Sequence, residues 1–332
     1  MNHIAVFGAG SWGTAFASIL ADGGSDVRVW GRRPELVAQI NAGVNEDYLP
    51  GIDLPSGISA STDPAEVVDG AKIVILSVPS QSLRENLTQW APLLDGDKIV
   101  VSLMKGIELG TTKRMSEVIH EVAGVPYERI GVVSGPNLSR EIIQRQPAAT
   151  VVACPDQGSA DAVAAACSTS YFRPYTSPDV VGAEIGGAVK NVIALAVGMA
   201  SGLGMGDNTK ATIITRGLAE TTRLATALGA DPRTMSGLAG VGDLIATCMS
   251  PLSRNHSFGV KLGQGLTLEE ATEQTKQTAE GVKSCSSILE LARAHDVDVP
   301  IIEQVNRAVH EAVPIKEIGR ALLSRARKAE TD

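Results

Sequence analysis

Three glycines near the start of the chain have the spacing of a dinucleotide-binding turn. Residues 8–13 read GAGSWG, directly after an apolar run and at the start of a helical pattern. In such a turn Gly8 allows the tight bend, Gly10 lets a pyrophosphate approach the backbone, and Gly13 lets helix and strand pack closely. The N-terminus of the helix that follows attracts the anion. We therefore predict a dinucleotide site at this turn.

Two arginines stand where a turn of this kind usually has a carboxylate. Trp30-Gly31-Arg32-Arg33 lies at the end of the second predicted strand, about 20 positions after the glycines. A carboxylate there binds the 2′-hydroxyl of a free ribose, whereas guanidinium groups suit a 2′-phosphate. The arginines indicate NADP, or tolerance of both NAD and NADP. The alternative is a pair of solvated surface side chains.

Further polar residues directly follow predicted strands. Lys105-Gly106 comes after one apolar run and Gly135-Pro136-Asn137 after the next. Doubly wound sheets bind their ligands outside the carboxyl ends of their strands. Lys105 is the most informative of these residues, because an ammonium group there faces the same crevice as the cofactor. A surface lysine is the alternative interpretation.

A second lysine lies in the middle of an apolar helical pattern. Residues 187–198 read GAVKNVIALAVG, so Lys190 has apolar neighbours on all sides. A helix that is apolar all round is buried, and lysine is rarely buried without a partner or a function. Burial lowers the pKa of a lysine toward the range in which it exchanges a proton near neutrality. The pattern indicates a catalytic lysine, and an ion-paired or snorkelling lysine is the alternative.

Two later stretches could bind an anion or orient a substrate. Asp243 ends a predicted glycine-hinged turn, and Ser253-Arg254-Asn255 opens a helix after Pro251. Hydroxyl, guanidinium and amide donors at a helix N-terminus suit a phosphate group. The alternatives are an ordinary turn aspartate and a serine that only caps its helix. No cluster of His, Cys, Asp and Glu has the spacing of a metal site, so we predict no metal.

The elements that must position these residues fall into two predicted domains. Short apolar runs alternate with helical patterns from residue 3 to about 176, which predicts a doubly wound, mostly parallel sheet. The predicted strands are residues 4–7, 27–30, 73–76, 99–103, 130–133 and 150–152. Only helical patterns follow after about residue 178. We predict an α/β Rossmann-type domain over residues 1–180 and an all-α substrate-binding domain over residues 181–332.

Composition excludes several classes of protein. The chain has 332 residues, of which 44% are hydrophobic and 20% charged, so disorder is excluded. A net charge of −8 disfavours a nucleic-acid binder. The start of the chain has no signal-peptide pattern, no apolar run reaches the length of a membrane span, and the four cysteines form no CxxC motif. These features predict a cytoplasmic protein without membrane insertion.

Taken together, these stretches resemble the bacterial-type NAD(P)-dependent glycerol-3-phosphate dehydrogenases, over nearly the whole chain. The resemblance rests on GAGSWGT at residues 8–14, KGIE at 105–108, SGP at 134–136 and the GAVKNVIALAVG helix. It continues through TRGLAE at 215–220, GLAGVGDL at 237–244, Ser253-Arg254-Asn255 and Ala279-Glu280-Gly281. It implies a Rossmann-type domain followed by an all-α domain, an architecture like that of 6-phosphogluconate dehydrogenase, and a homodimer.

The resemblance also implies roles for single residues. Lys190 is similar to the family's catalytic lysine and Lys105 to a helper that contacts both cofactor and substrate. The substrate-binding positions are Lys105, Gly135, Asn137, Lys190, Asp243, Ser253, Arg254 and Asn255. The cofactor-binding positions are Gly8, Gly10, Ser11, Trp12, Gly13, Arg32, Arg33, Lys105, Ser139, Arg254, Thr278 and Glu280. At position 137 the family usually shows Ser or Thr, so the asparagine is a departure, although an amide can still donate to a substrate oxygen.

The resemblance implies interconversion of dihydroxyacetone phosphate and sn-glycerol 3-phosphate, in support of phospholipid synthesis. Two other functions remain open at this stage. One is a related β-hydroxyacid dehydrogenase with a non-phosphorylated substrate, against which the possible phosphate site at Ser253-Arg254-Asn255 argues. The other is a non-catalytic dinucleotide sensor, which would not need a buried lysine at position 190.

Overall fold

A twisted sheet forms the first part of the molecule. The structure, a computed structural model, describes residues 3–275 and 279–324, and within these ranges the sheet has eight strands. Half of its strands, those nearest the centre, are nearly continuous runs of buried and mostly apolar residues, because helices cover both faces of the sheet. The strands are β1 (His3–Phe7), β2 (Asp26–Trp30), β3 (Ile58–Ser61), β4 (Ile73–Leu76), β5 (Ile99–Ser102), β6 (Ile130–Ser134), β7 (Ala148–Ala153) and β8 (Phe172–Ser177).

The strand order places the ligand crevice. It runs β3-β2-β1-β4-β5-β6-β7-β8, and the pairs are parallel except for the antiparallel pair of β6 and β7. The chain leaves β1 in one direction and returns at β4 to build the sheet in the other. A reversal of this kind opens a crevice at the carboxyl ends of β1 and β4. The doubly wound, mostly parallel sheet predicted from the sequence is confirmed.

The sequence does not predict two strands of this sheet. β3 is a short strand with two serines in four residues, and β8 contains Arg173 and Pro174. Both lie at the edges of the sheet, where fewer neighbours cover them and polar residues are tolerated. Their sequences therefore lack the continuous apolar run that identified the inner strands.

Helices cover the sheet and then continue alone. The helices of the sheet region are α1 (Ser11–Asp22), α2 (Pro34–Asn41), α3 (Pro64–Val68), α4 (Leu83–Trp90), α5 (Met115–Ala123), α6 (Ser139–Ile143) and α7 (Gln157–Cys167). The later helices are α8 (Val180–Gly202), α9 (Asp207–Ala227), α10 (Asp243–Met249), α11 (Arg254–Gly263), α12 (Leu268–Thr275), α13 (Glu280–Ala294), α14 (Pro300–His310) and α15 (Ile315–Leu323). Among the described residues after Ser177 there is no strand, as the sequence predicts.

Helix α8 is the centre of the helical part. It has 23 residues, and an 18-residue window has a mean hydropathy of 1.6, so by length and composition it would suit a membrane. The apolar stretch is thus longer than the sequence analysis expected. Within the structure, however, 89% of that window is buried, as in the core helix of a globular protein. The helix is apolar on all sides because other helices and the sheet surround it.

Glycines let α8 and α11 approach unusually closely. A Cβ atom at Gly198 would lie 2.2 Å from the carbonyl oxygen of His256, and one at Gly259 would lie 2.3 Å from that of Leu195. Gly202 and Gly263 repeat the pattern one turn further along. This backbone contact joins the C-terminal end of α8 to the second half of α11. The two helices are therefore held in a defined relation.

Candidate active site

The glycine turn has the geometry of a dinucleotide cradle. Gly8 has a φ of +124°, and a Cβ there would lie 2.2 Å from the Ser77 carbonyl oxygen. A Cβ at Gly13 would lie 2.0 Å from the carbonyl oxygen of Gly8. A Cβ at Gly10 would meet no atom within 4 Å, which is the open backbone that a pyrophosphate needs. Near this turn the buried Trp12 Nε1 has no hydrogen-bond partner among the residues that the structure describes. These features fit a bound dinucleotide.

The two arginines after β2 differ in their surroundings. Both are exposed. Arg33 donates to an oxygen of Asp47 at 2.6 Å, and this hydrogen bond raises the pKa of Arg33. No bond of this kind is seen for Arg32 within the described ranges. Arg32 is therefore the freer guanidinium at this end of the site.

Lys190 lies in the middle of α8 and is buried, with 7% of its surface exposed. Its Nζ donates to Asp243 Oδ1 at 2.5 Å and to Thr247 Oγ1 at 2.9 Å. Burial lowers the pKa of Lys190 to about 8; the Asp243 carboxylate opposes this shift and the nearby Lys105 adds to it. Lys190 is thus ion-paired, and its pKa lies near neutral pH. The ion-paired and the catalytic interpretations of the sequence are therefore compatible.

Lys105 reaches the same carboxylate from the sheet. It follows β5, and its Nζ donates to Asp243 Oδ2 at 2.7 Å and to the Gly135 carbonyl oxygen at 3.0 Å. Its stem passes close to α8 at Gly187, where a Cβ would lie 3.3 Å from Lys105 Cγ. Gly187 is three residues before Lys190, hence on the same face of the helix. The structure thus brings Lys105, Lys190 and Asp243 together.

Asp243 begins a helix and does not lie in a simple turn. The segment Leu238–Gly242 has a kink at Gly240 (φ −102°, ψ −105°), where the sequence predicts a glycine hinge. It leads directly into α10, which the sequence does not predict. The Asp243 side chain is 1% exposed, and each of its carboxylate oxygens accepts from a different lysine. Thr247, one helical turn later, also contacts Lys190. Sequence reasoning missed Thr247, although its i+4 spacing from Asp243 becomes a signal once the helix is recognised.

Each lysine keeps one donor for a ligand. A lysine ammonium has three N–H groups, and within the described residues each of these two spends two of them on protein acceptors. Two ammonium groups on one carboxylate form a cationic site of net charge +1. Such a site can bind a polarised carbonyl oxygen, stabilise negative charge on it and give it a proton.

The start of α11 lies beside this cluster. Ser253 caps the helix by accepting from the His256 N–H at 3.3 Å, as a capping serine should. Asn255 donates to Asn191 Oδ1 at 2.9 Å and accepts from the Gly281 N–H at 2.9 Å, which joins α11 to α8 and α13. Arg254 is exposed, at the first position of the helix. The amide of Asn255 therefore orients the helix start in addition to any contact with a ligand.

The remaining predicted positions are Asn137, Ser139, Glu280 and Thr278. Asn137 Nδ2 donates to Thr150 Oγ1 at 3.0 Å, while Asn137 Oδ1 is buried without a partner in the described part of the chain. Ser139 begins α6, which packs against α1 of the glycine turn. Glu280 begins α13; burial raises the pKa of its carboxyl, and Arg254, Lys190 and Lys105 oppose this shift. Thr278 lies outside the described residues.

A cavity of about 630 Å³ elsewhere contains neither lysine. Its lining includes Arg114, Asp179 and Thr234. These polar groups are paired within the protein: Asp179 accepts from the Thr234 hydroxyl at 2.6 Å, and Arg114 donates to Glu184 at 2.8 Å. The lysine cluster has hydrogen-bond donors available for a ligand, whereas the polar groups named in the cavity lining bond to each other or to neighbouring side chains. The lysine cluster is therefore the candidate active site.

Comparisons with known proteins find relatives that match nearly the whole chain. The model of the NAD-dependent glycerol-3-phosphate dehydrogenase N-terminus matches residues 3–160, and that of its C-terminus matches residues 179–320. A glycerol-3-phosphate dehydrogenase [NAD(P)+] of Streptomyces griseus is 63% identical over 98% of this chain and 97% of its own length. One of Thermobifida fusca is 58% identical over 99% of both chains. The crystal structure of a Coxiella burnetii glycerol-3-phosphate dehydrogenase aligns with a TM-score of 0.93 and 35% identity, over 98% of this chain and 99% of that one.

Proposed function

The chain belongs to the NAD-dependent glycerol-3-phosphate dehydrogenase family, and we propose that Lys190 and Lys105 share the chemistry of its reaction. The enzyme interconverts dihydroxyacetone phosphate and sn-glycerol 3-phosphate with NAD or NADP as cofactor. Family membership sets aside the non-catalytic sensor and the hydroxyacid dehydrogenase. The observation that carries the proposal is the pair of lysines on the two oxygens of the buried Asp243.

Lys190 is the proton donor in the direction of reduction. Bound NAD(P)H supplies the hydride for the C2 carbonyl carbon, and negative charge develops on the carbonyl oxygen. Lys190 gives that oxygen a proton and becomes neutral, a change that its pKa of about 8 makes accessible near neutrality. In oxidation the neutral lysine accepts the proton of the C2 hydroxyl.

Lys105 and Asp243 support this transfer from either side. Lys105, with a spare N–H, helps to bind the developing oxyanion. Asp243 holds both ammonium groups in place, and Thr247 accepts a second hydrogen bond from Lys190, which leaves the third N–H of Lys190 for the substrate. The carboxylate also keeps the desolvated Lys190 protonated at neutral pH, because its charge opposes the effect of burial on the pKa.

In this proposal, other residues bind the phosphate of the substrate and hold the cofactor. Arg254, with Ser253 and Asn255 at the start of α11, binds the phosphate of the substrate, and this remote binding energy positions the reacting carbon. Gly135 and Asn137 line the substrate on the sheet side. The cofactor is held by the glycine turn at Gly8, Gly10 and Gly13 with Ser11 and Trp12, by Ser139, Glu280 and Thr278, and by Arg32 and Arg33 at its 2′-phosphate.

Substitution of Arg254 tests the phosphate assignment. Arg254→Ala should lose most of the preference for dihydroxyacetone phosphate over dihydroxyacetone, since a charge-assisted pair in a partly desolvated site contributes roughly 2–5 kcal/mol. The measurement is kcat/KM with each ketone. Arg233→Ala is the matched control, because Arg233 is an exposed arginine that pairs with Asp231 away from the lysines. A preference that survives in Arg254→Ala would assign the phosphate to other residues.

We further propose the setting in which the enzyme works. It supplies glycerol phosphate to phospholipid synthesis, in the cytoplasm, as a homodimer of two-domain subunits with residues 1–180 and 181–332 as the domains. A reducing compartment is supported by the four cysteines, which are free thiols: Cys154, Cys167, Cys248 and Cys285. The burial of α8 supports a protein that does not insert into a membrane. Sedimentation at micromolar concentration tests the dimer, and a monomer there would contradict it.

A further inference from the structure

A short turn after β4 holds the loop that carries Lys105. The turn is the 3₁₀ helix Ser80–Ser82, and its Gln81 amide bonds to the loop at both ends. Gln81 Nε2 donates to the Ile107 carbonyl oxygen at 2.8 Å, and Gln81 Oε1 accepts from the Leu109 N–H at 2.9 Å. The two bonded residues lie two and four positions after Lys105. One side chain thus grips the backbone directly beyond the lysine.

The gripped carbonyl is also held by the helical domain. Ser287 of α13 donates its hydroxyl to the same Ile107 oxygen at 3.0 Å. The Ile107 side chain is fully buried among the apolar residues that surround α8. The loop is therefore fixed between the turn after β4 on one side and the core of the helical domain on the other.

Steric contact limits movement of the loop in the opposite direction. A Cβ at Gly106 would lie 2.4 Å from Ser80 Oγ, so the backbone of Gly106 already rests against the turn. Ser80 prevents the loop from moving inward, and the Gln81 amide prevents it from moving outward. The position of the Lys105 backbone follows from these two contacts, together with the bond from Asn191 Nδ2 to the Lys105 carbonyl oxygen at 3.2 Å.

We propose that Gln81 is a positioning residue that sets where the Lys105 ammonium lies, an inference that rests on the role proposed above for Lys105. Gln81 acts through the loop and touches neither Asp243 nor Lys190. Lys105 Nζ makes bonds of 2.7 and 3.0 Å, and a loop displacement of about 1 Å is enough to cost roughly a hundredfold in rate. Loss of the clamp should therefore lower kcat and leave cofactor binding unchanged.

A double-mutant cycle tests the proposal. Gln81→Met keeps the shape of the side chain and removes both hydrogen bonds. We expect kcat for dihydroxyacetone phosphate to fall about 10- to 100-fold in the wild-type background and less than twofold in the Lys105→Ala background. Fluorescence titration should give an unchanged Kd for NADPH. Asn41→Leu is the control, because the Asn41 amide clamps Ala60 at both ends in the same way, far from Lys105.

The outcomes separate this proposal from the proposed function. Equal losses from Gln81→Met in both backgrounds, or no loss in the wild type, would overturn the positioning role while Lys105 keeps its own. A Lys105→Ala enzyme that turns over within twofold of wild type would instead overturn the role of Lys105 and with it that of Gln81. If Gln81→Met does not fold, Ser287→Ala replaces it in the cycle, since it removes the other donor to Ile107 and should show the same dependence on Lys105.

Discussion

At the scale of single residues, the proposed chemistry depends on which lysine binds each carboxylate oxygen of Asp243. Each oxygen accepts from one lysine, so both ammonium groups face the same place with a donor to spare. Lys190 is the more buried of the two, and its pKa is lowered to about 8 by that burial. One carboxylate therefore supports a proton donor and a second cation that stabilises the oxyanion.

The lowered pKa of Lys190 gives opposite pH profiles in the two directions. The donor must be protonated for reduction, so kcat/KM for dihydroxyacetone phosphate should fall as pH rises above about 8. Oxidation of sn-glycerol 3-phosphate needs the neutral lysine and should rise through the same range. Initial rates between pH 6 and 10 measure both. Profiles that change in the same direction would contradict the assignment.

The arginines after β2 make a second prediction at this scale. Arg32→Ala should lower the ratio of kcat/KM for NADPH to that for NADH about tenfold, because a guanidinium that meets the 2′-phosphate is lost. Arg33→Ala should do less, since Arg33 already pairs with Asp47. Arg28→Ala, within β2, is the control, because the Arg28 guanidinium donates to the Glu66 carbonyl oxygen. An unchanged ratio in the Arg32→Ala, Arg33→Ala double variant would make both arginines surface residues.

At the scale of elements, the site depends on helices that approach through glycines. α8 carries Lys190 and α11 carries Arg254, and the close contact of Gly198 and Gly202 with Gly259 and Gly263 sets the distance between the two helices. Helix α10 then places Asp243 and Thr247 on one face at i and i+4. In the proposed binding mode, the backbones of these helices therefore define the spacing between the residues for the phosphate and those for the carbonyl of the substrate.

Insertion of a methyl group into this contact should affect both stability and binding. Gly259→Ala puts a Cβ 2.3 Å from the Leu195 carbonyl oxygen, so the helices must separate at a cost of about 1–3 kcal/mol. Arg254 then moves relative to Lys190, and KM for dihydroxyacetone phosphate should rise. Denaturant unfolding and steady-state kinetics measure the two effects. Gly206→Ala is the control, since a Cβ there meets no atom within 4 Å. Equal stabilities of the two variants would contradict the close packing.

The elements that the sequence predicts well are those whose pattern comes from burial on all sides. The central strands β1, β4, β5 and β6 and helix α8 are nearly continuous runs of buried, mostly apolar residues. The edge strands β3 and β8 were missed because exposure allows serine, arginine and proline there. Helix α10 was missed because the glycines before it indicate a turn; the chain does kink at Gly240, and the helix begins three residues later.

At the scale of the whole molecule, the site exists only where the two parts of the chain meet. The sheet region supplies Lys105 and Gly135, and the helical region supplies Lys190, Asp243 and Thr247. The type and place of each lysine could be inferred from its local pattern. That both bind one carboxylate could not, because Lys105 and Asp243 are 138 residues apart and only the fold brings them together. Because the carboxylate is shared, Lys190 can have a structural role and the proposed catalytic role at the same time.

The most direct test of the central claim compares Lys190→Ala and Lys190→Arg with the wild type. Loss of the lysine leaves Asp243 with one cation, so some stability is lost, but the fold and NADPH binding should persist. Turnover should fall by about 10²–10⁴ or more in Lys190→Ala. Lys190→Arg should restore stability and not turnover, because arginine keeps the charge but does not give up its proton near neutral pH. A folded Lys190→Ala protein that binds NADPH and turns over within about tenfold of wild type would contradict the account.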